Sequence, residues 1–216
     1  NHDIKIKGEG FHAAFEELYK DYIEYYPSIT IVGVDVENKT VIDEFDDYRF
    51  DDAAIYPRIR GSKLIETLGL VNDTSPQKEA RINQYRNNLI DDERVYVIGD
   101  SRSTGYSKSG STAQAEARYV ARVIAARIKG EEIEWQSPYT SCYSMVGAEP
   151  MEAIYFGSEY LPPQADITAM SMERTISSWT DTGAAFAWRD RNMLRSAEMG
   201  EEMIGWAITH YKEMFE

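Results

Sequence analysis

Cysteine is almost absent from this chain of 216 residues: Cys142 stands alone, which excludes an internal disulfide framework and any multi-cysteine zinc site. Histidine is nearly as scarce. His2, His12 and His210 lie too far apart in sequence to form a metal-ligand motif, so no metal is expected. Positive charge is also short, with 23 Lys and Arg against 37 Asp and Glu and a net charge of −14. Nucleic acid is a poor partner for such a chain, because phosphate binding needs clustered basic residues. An anionic membrane surface is disfavoured for the same reason, whereas a cationic protein would be attracted. No apolar run approaches the roughly 20 residues of a spanning helix, so no transmembrane segment is expected. There is no G-x-G-x-x-G. The opening "NHDIKIKGEG" has neither an initiator Met nor a signal-peptide pattern, from which a processed chain or an excised fragment is expected.

What is present supports one substantial core or two small ones: 43% of residues are hydrophobic and 12% aromatic. Phe11, Phe15, Leu18 and Tyr22 recur at helical spacing, which predicts a helix over 10–25 that stops before Pro27. "SITIVGVDVENKTVIDEF" alternates about Asn38-Lys39 and predicts a hairpin. "DDAAIYP" reads as a short strand and "GSKLIETLGL" as a short helix closed by Gly69. Residues 71–92 are polar and read as loop with one weak strand. "RVYVIGD" reads as a buried strand, followed by a helix from about Thr112 to Lys129 that Gly130 closes. "IEWQSPYTSCYSMV" and "EAIYFGSEYL" read as strands, "PPQ" as a breaker, and the last 45 residues as two helices meeting near Gly200. The order of elements predicts an α/β fold, α+β in its C-terminal part.

The unusual stretch is "YVIGDSRSTGYSKSGSTAQAEA", residues 96–117. A strand that ends in glycine allows close backbone approach, because no Cβ intervenes. Asp100, just beyond the strand, is suited to accept hydrogen bonds from a sugar or polyol. The loop amides and the first turn of the next helix suit an anion or a partly negative oxygen. Ala113, Ala115, Ala117, Ala121, Ala125 and Ala126 would let that helix lie close to a sheet or a flat ligand. On pattern alone, an Asp in this place is more often a cap or turn former than a ligand-binding residue.

With its neighbours included, the segment resembles a known family. "VYVIGDSRS", then "KSG", an Ala-rich helix, "KGEE" and "SPYTSCYSMV" are similar to the flavoprotein subunit of flavocytochrome c sulfide dehydrogenase. The wider group is the sulfide:quinone oxidoreductase branch of the two-dinucleotide-binding-domain flavoproteins. "YYPSITIVGVDVENKTVIDEF" and "DDAAIYPRIRGSKLIETLGL" resemble the passage from the second nucleotide-binding domain back to the FAD domain, and Trp206 and Phe215 fall at the spacing of the family's closing segment.

The resemblance implies the C-terminal portion of a Rossmann-like FAD/NAD(P)-binding flavoprotein plus a small interface domain. Residues 1–70 would end the second dinucleotide-binding domain, 71–136 complete the FAD domain, and 137–216 form the interface or dimerisation domain. It implies FAD as cofactor, with Gly99, Asp100 and Ser101 toward the ribitol or pyrophosphate and Lys108, Ser109, Gly110 and Ser111 at the flavin edge. Trp206 would lie beside the ring and the haem partner's surface. Cys142 would be a redox cysteine: sulfide attacks a disulfide, leaving a persulfide and a thiolate that reduces the flavin. A cytochrome c subunit, a small sulfur substrate and a periplasmic location are implied as well.

This chain departs from the family in several places. The first FAD-binding motif is missing, the family's chains are about twice as long, and the second redox cysteine is absent. Gly105-Tyr106-Ser107 stands where Pro-Met-Pro is usual. A missing N-terminal half or a homo-oligomer is therefore expected as partner. Arg58 and Arg60 are suited to balance phosphate or to pair on the surface; Trp135, Trp179 and Trp188 and the methionines read as core or interface. "FDDYRFDD" and "IDDER" read as solvated acidic faces. Two other readings stand beside the first. A sulfide:quinone oxidoreductase would need an apolar or basic amphipathic C-terminus, where this chain has the acidic "EMGEEMIGWAITHYKEMFE". A cofactor-free binding or assembly fragment would have no activity alone.

Overall fold

The computed structural model describes residues 8–56, 59–160, 174–178 and 185–215, without side chains for 174–178 and 185–192. Arg58, Pro57, the "PPQ" segment and Trp179 lie outside the described residues, as does the side chain of Trp188. Helices and two small sheets make an α+β fold. Among the described residues no helix is long and apolar enough to cross a membrane.

The chain divides into two compact units. One comprises Asn1–Pro57, Tyr143–Tyr155 and Met193–Glu216; the other comprises Arg58–Cys142 and Phe156–Asn192.

In the first unit, α1 (Gly8–Glu17) is shorter than the spacing predicts, and turns carry the chain on to Tyr22. Its inner face packs Phe11 and Ala14 against Val146 and Ile154. Gly10 lets it approach closely, since a Cβ there would lie 2.9 Å from Ile154 Cγ2. The predicted hairpin is present as β1 (Ile31–Asp35) and β2 (Thr40–Asp43), turned at Lys39 with φ +50°, and extended by β3 (Asp47–Arg49). The turn into β3 is fixed by Asp43, whose Oδ1 accepts from the backbone N–H of Phe45 at 2.6 Å and Asp46 at 2.7 Å. Those two donors hold its carboxyl below the ordinary value. Residues 51–56 of "DDAAIYP" are not a strand: they are exposed, and no strand among the described residues pairs with them.

The last 45 residues correct a second expectation. β6 (Arg174–Ser178) and β7 (Ala185–Ser196) pair antiparallel, and a single helix, α4 (Ala197–Phe215), follows. Gly200 is not a helix boundary. It sits within α4 where the helix crosses the start of β5 so closely that a Cβ would collide with the Met151 carbonyl oxygen. Met199 beside it is buried with Ala153 and Tyr155, and Ser196 Oγ accepts from the Met199 N–H at 3.1 Å as an N-terminal cap.

The second unit is built round Ile65, Ala80, Ile82, Leu89 and Val97. α2 (Lys63–Thr67) is capped by Ser62 and closed at Gly69, with φ +66°. The polar stretch 71–92 is loop with isolated bridges, Val71 to Ala80 and Ile82 to Leu89, yet it supplies three core residues. "RVYVIGD" does not become a sheet strand. Leu89 N–H bonds the Val95 carbonyl and Val97 N–H bonds the Asn87 carbonyl, both at 2.8 Å. The ladder stops there because Asn87 (φ +59°) and Gly99 (φ +65°) turn the backbone out of the extended region at either end. α3 (Gly110–Lys129) is closed by Gly130 at φ +70°, as the sequence predicts, and starts two residues earlier than expected, capped by Ser109.

β4 (Thr140–Ala148) and β5 (Met151–Tyr160) contribute residues to both units. The four-stranded sheet has the order β4-β5-β7-β6.

Candidate functional site

The segment 99–112 is organised around a buried ion pair that the sequence did not reveal. Arg102 and Glu116 are 0% and 1% exposed, and Arg102 Nε donates to Glu116 Oε1 at 2.6 Å. The same carboxylate accepts from Asn87 Nδ2 at 3.1 Å and from the Gly99 N–H at 2.9 Å. The remaining guanidinium nitrogens donate to the carbonyls of Tyr106 and Ser107 at 3.4 and 3.2 Å. Arg102 also lies over the Tyr106 ring at 5.4 Å, and burial pushes that phenol's pKa up. Buried charges of this kind persist only where each hydrogen-bonding group is matched. The pair thus fixes the loop from both ends.

Gly99 is buried in a 3-10 turn, Gly99–Ser101. A Cβ on Gly99 would meet Ala113 Cβ at 3.4 Å, an ordinary contact, so it is the φ of +65° and not the packing on α3 that calls for glycine. Asp100 is exposed at the tip of the turn. Its carbonyl accepts from Lys108 Nζ at 2.9 Å, and Lys108 is also ion-paired with Glu79. Ser101 is engaged on two sides: its Oγ accepts from the Ser62 N–H at 3.0 Å and its carbonyl from the Ala80 N–H at 2.8 Å.

The start of α3 is joined to the start of β4 by hydroxyls. Ser109 Oγ accepts from the Thr112 N–H at 3.3 Å and lies 2.8 Å from Thr112 Oγ1, which lies 2.7 Å from Thr140 Oγ1. The Ser141 N–H donates to Ser111 Oγ at 3.1 Å. Residues 109–112 and 140–141, 28 or more positions apart in sequence, are therefore in direct contact, and Cys142 is the next residue along β4. Cys142 is half-buried and forms no disulfide. Tyr160 closes the back of this region. Its hydroxyl accepts from the Ser107 N–H at 2.7 Å, and its ring lies 4.8 Å from that of Tyr106.

The amino end of α3 is open. Gly110 is exposed, and a Cβ there would meet nothing within 4 Å. With the Thr112 N–H taken by Ser109 Oγ and the Ala113 N–H by the Ser109 carbonyl, the Gly110 and Ser111 N–H groups and the helix dipole make such an end favourable for a partial negative charge. Since Glu79 balances Lys108, the dipole and not the ammonium supplies the positive potential.

Trp206 belongs to the first unit, on α4. It stacks on His210 at 4.9 Å and tilts against Tyr143 at 5.5 Å. Among the described residues no group of three or more His, Cys, Asp or Glu side chains is arranged to hold a metal ion.

The residues missed in the sequence are Glu79, Arg102, Glu116, Thr140 and Tyr160. A signal for Glu116 was present: Thr112, Glu116, Tyr119, Val120 and Val123 form the buried stripe of α3, so the glutamate stands on the inner face.

No protein-family model matches the chain. Over 146 residues it is 23% identical to the NADH dehydrogenase-like protein YutJ of Bacillus subtilis (strain 168), a match covering 66% of this chain and 41% of that protein. The match thus spans about two fifths of the length of that relative.

Proposed function

We propose that this chain is the C-terminal part of a flavin-dependent oxidoreductase, of the flavocytochrome c sulfide dehydrogenase type. The observation that carries this reading is the junction of the open α3 amino end with the Thr140-Ser141-Cys142 run. Likeness to an NADH dehydrogenase-like protein supports the coarser part, an oxidoreductase. Sulfide as donor, a cytochrome c subunit as acceptor and a periplasmic location rest on the resemblance of the sequence motifs.

The residues present fit one half of FAD. The exposed Asp100 carboxylate suits ribityl hydroxyls, and Ser109 to Ser111 at the helix end suit the partly negative pyrimidine edge of the ring. Nothing in this sequence corresponds to the G-x-G-x-x-G that grips the ADP half. A bound flavin would supply the two-electron acceptor. Cys142 would be one half of the disulfide that sulfide attacks, its S–S bond breaking as a persulfide and a thiolate form, and the second cysteine would come from another part of the complete protein. With half a cradle, the chain alone is expected to purify colourless and to bind added FAD weakly.

The test is alkylation of Cys142 by iodoacetamide with and without FAD. The reading expects FAD to slow labelling several-fold, with no such effect from ADP. Equal rates with and without FAD would overturn it and favour the cofactor-free assembly fragment.

A further inference from the structure

A cavity lies in the unit that carries α3, at the opposite end of the helix from Ser109. It has a volume of about 450 Å³ and opens beside Ala126 and Gly130. At 1.5 Å of rise per residue, this places it about 24 Å along the helix from the amino end. Neither the motif resemblance nor the proposed flavin chemistry uses it.

Four aromatic side chains line the cavity: Tyr85, Tyr96, Tyr119 and Trp135. Two of the phenols are fixed by their hydroxyls. Tyr119 donates to the Tyr85 carbonyl at 2.5 Å, and Tyr96 accepts from Arg127 Nη1 at 3.4 Å. The charges at the rim are unequal, with Glu93, Glu131 and Glu132 against Arg86 and Arg127. Arg127 is committed to Glu93, through the backbone carbonyl at 2.6 Å and the carboxylate at 3.3 Å. Arg86 reaches Glu132 at 3.9 Å. Once these two pairs are matched, Glu131 remains as uncompensated negative charge, within a chain whose net charge is −14.

Aromatic faces attract cations through their quadrupoles, most strongly when the cation is weakly hydrated and shed of water. An acidic protein raises the local concentration of cations and lowers that of anions. We infer that this cavity binds a small monovalent organic cation of the quaternary ammonium or guanidinium class, held by the tyrosine and tryptophan rings and by Glu131.

The test is a two-dimensional amide NMR titration of the full chain with tetramethylammonium chloride, at constant ionic strength against sodium chloride. Saturable shifts are expected at Tyr96, Gly130 and Trp135, with no counterpart in a sodium-only titration. Glu131→Gln, at an exposed position, is expected to weaken binding about two- to fivefold, the range of an exposed charge pair. Tyr96→Leu is expected to abolish it; should that variant misfold, Glu131→Gln still decides. The inference is overturned by the absence of saturable shifts, by equal shifts with sodium, by unchanged affinity in Glu131→Gln, or by AMP occupying the cavity in place of the cation. These outcomes are independent of whether FAD protects Cys142.

Discussion

Arg102 and Glu116 meet at 2.6 Å with neither side chain reaching solvent, and between them they anchor Gly99, Asn87, Tyr106 and Ser107. The loop that leads to α3 is therefore held by a charge pair and not by a sheet. Removing one partner strands the other charge in a dry interior. Glu116→Ala is expected to cost about 3–5 kcal/mol in urea unfolding, whereas the double variant Arg102→Met/Glu116→Leu recovers most of the loss. A loss below about 1 kcal/mol for the single variant would mean that the pair is hydrated in solution.

Ser109 provides the side-chain cap of α3. Ser109→Ala is expected to destabilise the unit by about 1 kcal/mol and Ser109→Asp by much less, because Asp also caps. Thermal unfolding of the three proteins measures the difference. An equal loss for Ala and Asp would assign the effect to the hydroxyl contact with Thr112, not to capping.

Gly200 separates two accounts of the C-terminal helix. At a solvent-exposed interior position, Gly→Ala would add about 1 kcal/mol of stability. In this fold the methyl group would meet the Met151 carbonyl, so Gly200→Ala is expected to destabilise by about 1–3 kcal/mol, the range for overpacking. A rise in unfolding midpoint would contradict the close crossing of α4 over β5.

Asp92 accepts from the Arg94 side chain, Nε at 3.0 Å and Nη2 at 2.9 Å, and from the Arg94 N–H at 3.0 Å. These hydrogen bonds lower its pKa to about 2. A carboxyl held below its ordinary value of about 3.9 contributes its interaction above that value and loses it as pH falls through about 2. Carboxyl-carbon NMR is expected to show Asp92 titrating near 2, and Arg94→Ala is expected to return it to the ordinary range. Titration near the ordinary value in the parent protein would show the turn open.

The elements that sequence reading found are those whose signals are local. The Asn38-Lys39 hairpin and the Gly130 stop of α3 each depend on a few neighbouring residues and a backbone angle. The failures have non-local causes. Val95 and Val97 alternate as a strand should, yet Asn87 and Gly99 end their pairing. Gly200 resembles a boundary because glycine weakens helices, whereas its reason is a neighbouring strand. "AFAWRDRNMLRS" runs four apolar residues into four polar ones without apolar/polar alternation, so nothing local marked it as a strand within its Met- and Glu-rich surroundings. Arg102 and Glu116 drew no reading from the sequence, because burial of a charge appears only when its partner, 14 residues away, is placed beside it.

The central claim is that the open end of α3 receives a flavin. The most direct test fills that opening: Gly110→Phe places a ring where a Cβ meets nothing within 4 Å, with folding checked by circular dichroism. Titration with FAD, followed by the visible absorbance of the flavin, is expected to give a saturable change with the parent chain and none with the folded variant. The same change in both proteins, or none in either, would contradict the account.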